Sequence, residues 1–95
     1  GPVNSEVQLK RIAGHVDSAK ARGIQVLCGG NSGADPLSGL GWFFEPTLLD
    51  RVPLHDAAVQ QEIFGPLLPV IAFRDLDAVI ARINAGPKPL ALYLY

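Results

Sequence analysis

Few residues in this chain have both the type and the spacing for chemistry. Cys28 is the single cysteine, and a thiolate acts as a nucleophile where its surroundings stabilise the charge. It closes the apolar run Ile24-Gln25-Val26-Leu27. Nothing in that local sequence supplies a stabilising group, so a small buried apolar role is expected. His15 and His55 form no metal-binding spacing with a carboxylate or with Cys28, and no metal is assigned. Gly29, Gly30, Gly33, Gly39 and Gly41 do not spell a phosphate-binding loop with its Lys-Ser or Lys-Thr. Gly39-Leu40-Gly41 also lacks the third glycine of a dinucleotide fingerprint and leads toward a strand. A surface connection is expected there. Trp42, Phe43 and Phe44 could line a substrate tunnel, but core packing is the simpler role. Lys88 is expected in a solvated turn. Within Gln60-Gln61-Glu62-Ile63-Phe64-Gly65-Pro66, Glu62 and Phe64 taken alone read as a helix-end carboxylate and a core aromatic.

The elements around these residues are legible. Ser5 and Gln8 have the spacing of a reciprocal helix cap, and Leu9, Ile12, Ala13, Val16 and Ala19 form one apolar stripe at helical spacing. Arg22-Gly23 supplies a cationic last turn and a left-handed stop. His15 lies off that stripe and is expected to face solvent. Ile24 to Cys28 reads as a short strand. Trp42 to Leu49 reads as an edge or irregular strand because Pro46 cannot donate to a central ladder. Asp56 is placed to cap a short helix through Gln60. Leu67 to Phe73 is an unbroken apolar run, as in a strand covered on both faces. Asp75 is a good N-cap for a helix carrying Leu76, Val79, Ile80 and Ile83 at i, i+3, i+4 and i+7, ended by Gly86-Pro87. Leu90 to Tyr95 reads as a further apolar strand. Helices alternating with apolar strands predict an α/β arrangement with a largely parallel sheet.

Composition narrows the function classes. The 95 residues are 48% hydrophobic and 18% charged, the balance of a globular chain, with a formal net charge of −1. No basic cluster exceeds Lys10-Arg11, so neither nucleic acid nor an acidic membrane surface is an expected partner. No apolar run approaches the ~20 residues that span a bilayer. A lone cysteine excludes an internal disulfide and suits a reducing, cytoplasmic compartment. The absence of methionine is expected of a processed or truncated N-terminus, and the apolar C-terminal strand, with no polar tail, of a segment of a larger sheet.

The run Glu62-Ile63-Phe64-Gly65-Pro66 resembles the Glu-Ile-Phe-Gly-Pro motif of the aldehyde dehydrogenase superfamily. Gly1-Pro2-Val3-Asn4, Ala19-Lys20-Ala21-Arg22-Gly23, Gly41-Trp42-Phe43-Phe44-Glu45-Pro46-Thr47-Leu48-Leu49 and Leu76-Asp77-Ala78-Val79-Ile80 follow the same family's layout in order. The resemblance thus covers nearly the whole chain, apart from the variable loop around Asn31 to Leu40. Lys88-Pro89-Leu90-Ala91-Leu92-Tyr93 is similar to the version in coniferyl aldehyde dehydrogenases and related class 3 fatty and aromatic aldehyde dehydrogenases.

That resemblance implies a part of the catalytic domain, spanning residues 1–95, of an NAD- or NADP-dependent enzyme that oxidises an aldehyde to a carboxylic acid. Family members use a cysteine nucleophile, a glutamate that activates water, and a positioned nicotinamide. The family's nucleophile belongs upstream of this segment, so no catalytic residue is assigned and the isolated chain is expected to be inactive. Glu62 matches the glutamate that binds the nicotinamide ribose, a role suited to a carboxylate accepting from two vicinal hydroxyls. Phe64 matches the aromatic residue beside the nicotinamide. Gln61 stands where many members carry a second glutamate, which removes a charge and leaves Glu62 in place. The parent is expected to act on a small-molecule aldehyde as a homo-oligomer. The alternative is a non-catalytic structural or oligomerisation module of the same fold, pairing through exposed strand edges.

Overall fold

A computed structural model describes residues 1–95. Helix α1 (Glu6–Ala21) is built around the stripe that the sequence marks, with Ile12, Val16 and Ala19 fully buried. Ser5 Oγ accepts from the Gln8 backbone N–H at 3.2 Å, one half of the expected reciprocal cap. The Gln8 side chain does not return to Ser5; it leaves the helix for a contact described below. At the other end Gly23 adopts φ +79°, Ile24 N–H donates to the Ala19 carbonyl, and Gly23 N–H donates to that of Lys20, each at 3.0 Å. This pairing satisfies carbonyls that the ending helix would otherwise orphan.

Strand β1 (Gln25–Cys28) follows at once. A two-residue strand β2 (Ser32–Gly33) lies in the glycine-rich connection and pairs antiparallel with β3 (Phe43–Phe44). Strand β4 (Thr47–Asp50) pairs antiparallel with β1 and parallel with β5 (Leu67–Pro69), giving the order β1-β4-β5. The α/β reading therefore holds with a mixed sheet containing the expected parallel pairing. The segment expected as one edge strand divides at Glu45-Pro46, and its second half is the central strand. Pro46 is harmless because the ladder starts after it: Thr47 N–H donates to the Pro66 carbonyl at 2.8 Å.

Asp56 caps α2 (Ala57–Gln60) by accepting from Ala58 N–H at 2.9 Å, and Asp75 caps α3 (Leu76–Ala85) through Asp77 and Ala78 N–H. Two expectations fail toward the C-terminus. The strand expected over Leu67 to Phe73 stops at Pro69, and Leu68, Val70 and Phe73 are exposed rather than covered on both faces. Leu90 to Tyr95 forms no strand and is exposed throughout. A strand requires a neighbour for its N–H and C=O groups, and this apolar stretch has none. The core consists of Ile12, Val16 and Ala19 of α1 against Phe44, Leu49, Val52, Ala58, Ile63 and Leu67. No helix is long and apolar enough to cross a membrane.

Candidate functional site

The segment between α2 and β5 holds Glu62 and Phe64, and its conformation is set by what lies beneath it. After Gln61 the chain is extended, with φ −108° and ψ 141°. Ile63 turns inward and is 7% exposed, while Glu62 and Phe64 on either side are exposed. Phe64 has φ +53°, a left-handed conformation that is uncommon for a bulky L-residue and costs about 1–2 kcal/mol. Such a conformation persists where the surroundings over-determine it. Here Gln8 Nε2 donates to the Ile63 carbonyl at 2.7 Å and to the Phe64 carbonyl at 2.9 Å. Arg11 Nη2 donates to the Glu62 carbonyl at 3.3 Å. Gly65 lies directly on Ile12; a Cβ there would fall 2.6 Å from Ile12 Cγ1. The outcome is that the Glu62, Ile63 and Phe64 carbonyls face α1 while the Glu62 and Phe64 side chains point outward.

Phe64 is 71% exposed, which overturns the local reading of a core aromatic. An exposed large apolar group is the informative case, since burial is its default. The Glu62 carboxylate enters no hydrogen bond or ion pair within the chain, so its lone pairs are free for hydroxyl donors. Glu62 also lines a cleft with Pro87 to Ala91, Lys88 among them. The sequence placed Lys88 in an unremarkable turn. A larger groove lies elsewhere, between α3 and the Leu54 and Phe73 region. We place the site at Glu62 and Phe64 because chemistry there has an uncommitted carboxylate, whereas that groove is the uncovered face of α3.

Charge fixes the elements flanking the motif. Arg22 donates through Nε and Nη2 to both carboxylate oxygens of Asp56, at 2.7 and 2.9 Å. Asp56 thus joins the end of α1 to the start of α2, the helix that leads into Glu62. The Arg22 hydrogen bonds, supported by Ala58 N–H, hold the Asp56 carboxyl below its ordinary pKa against the opposing effect of burial. His15 is half-buried on α1 rather than solvent-facing. Burial first, and then the nearby Arg11 and Arg22 charges, lower its pKa.

The remaining sequence candidates lie apart from this site. Cys28 is exposed, contrary to the expected buried role, with Sγ 4.0 Å from the Pro46 carbonyl. It belongs to β1, separated from β5 by β4. Gly29, at φ +72°, lets β1 leave the sheet against Pro46; a Cβ there would collide with the Pro46 carbonyl and lie 2.8 Å from Thr47 Oγ1. Gly30 N–H donates to that same Thr47 Oγ1 at 2.9 Å. These glycines serve strand packing. Phe44 is buried in the core, as expected of that aromatic cluster, whereas Trp42 is exposed. Sequence reasoning missed Gln8 and Arg11, because no local pattern announces a contact more than fifty residues away.

Comparison with known proteins gives one consistent answer. The family model described as the aldehyde dehydrogenase family matches residues 1–95. The 4,4'-diaponeurosporen-aldehyde dehydrogenase of Staphylococcus aureus is 44% identical over 72 residues, covering 76% of this chain and 15% of that protein. The mitochondrial aldehyde dehydrogenase of Sus scrofa is 35% identical over 95 residues, covering 100% of this chain and 18% of that protein. The NAD+ complex of the aldehyde dehydrogenase from Bacillus cereus superposes with a TM-score of 0.79 at 31% identity, covering 90% of this chain and 17% of that one. The chain therefore spans less than a fifth of these relatives' length.

Proposed function

The chain belongs to the aldehyde dehydrogenase family, and from that premise we propose that it is the nicotinamide-ribose-binding segment of an NAD- or NADP-dependent enzyme oxidising aldehydes to carboxylic acids. The observation that carries this reading is the pairing of an uncommitted, exposed Glu62 carboxylate with an exposed Phe64 held at φ +53°. The carboxylate accepts hydrogen bonds from the two ribose hydroxyls, and the aromatic face orients the nicotinamide ring. NAD and NADP share that ribose, so Glu62 serves either. When bound, the nicotinamide accepts the hydride that leaves the substrate. The nucleophile and the water-activating base come from outside these residues, so residues 1–95 alone are inactive. A coniferyl or class 3 affinity, acting on fatty or aromatic aldehydes, is part of the proposal. It rests on Lys88-Pro89-Leu90-Ala91-Leu92-Tyr93. A cytoplasmic location also belongs to it, resting on the lone cysteine.

The test is dinucleotide titration of the complete enzyme carrying these residues. Removing a charged hydrogen-bond acceptor is worth about 1.5–3 kcal/mol, so Glu62→Ala weakens binding roughly ten- to a hundredfold. Unchanged affinity would reject the assignment.

One observation favours a second reading. Helix α3 buries none of its residues, although Leu76, Val79, Ile80 and Ile83 share one face. A non-catalytic oligomerisation module would cover that face with another copy. Sedimentation with NAD titration separates the two: a stable oligomer without dinucleotide binding supports the module, and saturable binding lost in Glu62→Ala supports the enzyme.

A further inference from the structure

Three consecutive carbonyls of the motif, those of Glu62, Ile63 and Phe64, accept from two side chains on one face of α1. Gln8 supplies two of the three bonds from a single nitrogen, at 2.7 and 2.9 Å, and Arg11 the third at 3.3 Å. Gln8 and Arg11 are three residues apart and Ile12 is the next, so they share one side of the helix. Ile12 is the residue on which Gly65 rests. The helix thereby reaches four successive backbone positions across 55 residues of sequence.

From this geometry we infer that Gln8 is a positioning residue for cofactor binding, acting through the backbone of Glu62 and Phe64. The inference rests on the dinucleotide reading of those two residues. A left-handed Phe64 relaxes toward negative φ unless something holds it. Because the side chain is carried by that φ, relaxation swings the ring and carries the Glu62 peptide with it. Two carbonyls bound by the Gln8 amide oppose that relaxation. Gln8 is suited to the task because its primary amide carries donor hydrogens and no charge, so it binds carbonyls without demanding a counterion. The expected partner of Gln8, the Ser5 backbone N–H, would have used its carbonyl oxygen instead. The tertiary contact uses the nitrogen.

Two substitutions in the complete enzyme test this. Gln8→Met preserves length and helix propensity and deletes the donor; Gln8→Lys restores a donor at similar reach. Hydrogen–deuterium exchange is followed in the peptide covering residues 61–67 and, as an internal control, in α1. Loss of two neutral hydrogen bonds corresponds to about tenfold in an equilibrium. Gln8→Met is expected to speed exchange in the motif about tenfold, leave α1 unchanged, and weaken dinucleotide binding by a similar factor. Gln8→Lys is expected to recover most of both. The inference is overturned if motif exchange in Gln8→Met matches the parent. Equal acceleration of α1, or equal losses in the Met and Lys variants, overturns it too, because those results report a general structural role. If Glu62→Ala binds dinucleotide normally, the cofactor reading fails, while motif exchange still decides whether Gln8 holds the loop.

Discussion

Helices α1 and α3 carry comparable local signals and meet opposite fates. Each has an oxygen-bearing N-cap, an acid in its first turn and a base in its last. Each has apolar residues at helical spacing. Yet α1 buries Ile12, Val16 and Ala19 completely, and α3 buries nothing. All eleven buried residues fall between Ile12 and Leu67. The difference is the partner: α1 has the sheet and the Ile63 segment beneath it, whereas Arg82 donating to the Leu54 carbonyl at 3.0 Å is a side-chain tether of α3 to the rest. An amphipathic pattern states that a helix has a face to bury. It does not state that the surface to bury it against is present.

The comparison is most exposed to paired truncations. Ile12→Ala removes a fully buried core side chain that also supports Gly65, and is expected to cost about 2–5 kcal/mol in urea unfolding. Ile80→Ala, on a residue 48% exposed, is expected to cost under roughly 1 kcal/mol. Equal costs would mean that α3 is packed in solution, and the contrast between the helices would collapse.

A smaller effect sharpens the α1 side. In Gly65→Ala the new methyl meets Ile12, which is fully buried and has little room to retreat. Overpacking of this kind costs about 1–3 kcal/mol. Because Gly65 adjoins Phe64, dinucleotide affinity should fall as well; a variant as stable as its parent would show that α1 and the motif are not in firm contact.

The Arg22–Asp56 link comes next. Arg22 is partly exposed, so Asp56→Asn is expected to cost about 1–2 kcal/mol. The sign with pH follows from the depressed carboxyl. Folded Asp56 has a pKa below its unfolded value, so its contribution is present above the ordinary carboxylate pKa and is lost as pH falls through the folded one. The stability difference between the parent and Asp56→Asn should therefore shrink on acidification; a gap independent of pH would refute the link. The least effect is expected at Cys28. It is exposed on a strand remote from the motif, so Cys28→Ser should change stability by under roughly 0.5 kcal/mol and leave aldehyde oxidation by the complete enzyme unchanged. Aldehyde oxidation by residues 1–95 that disappears in Cys28→Ala would contradict this.

Much of the candidate site is legible in the sequence. Ser5, Asp56 and Asp75 mark their helices because a cap acts within three residues. Glu62 and Phe64 are singled out by resemblance, not by local chemistry, which would bury the aromatic. Gln8 reads as a local capping residue because Ser5 lies three residues off, whereas its partners in the fold lie 55 and 56 away. Pro46 suggested an edge strand, but the ladder begins one residue later and β4 lies in the centre.

The sequence by itself determined the family, the helix boundaries and the apolar stripe of α1, all of which depend on neighbours along the chain or on an ordered set of motifs. The tertiary structure alone decided which apolar faces are buried, which strand is central, and that α1 holds the Glu62 to Gly65 backbone with Phe64 outward. Those outcomes depend on surfaces brought together from distant parts of the chain. Burial and long-range hydrogen bonds are properties of pairs, and a local pattern specifies only one member of each.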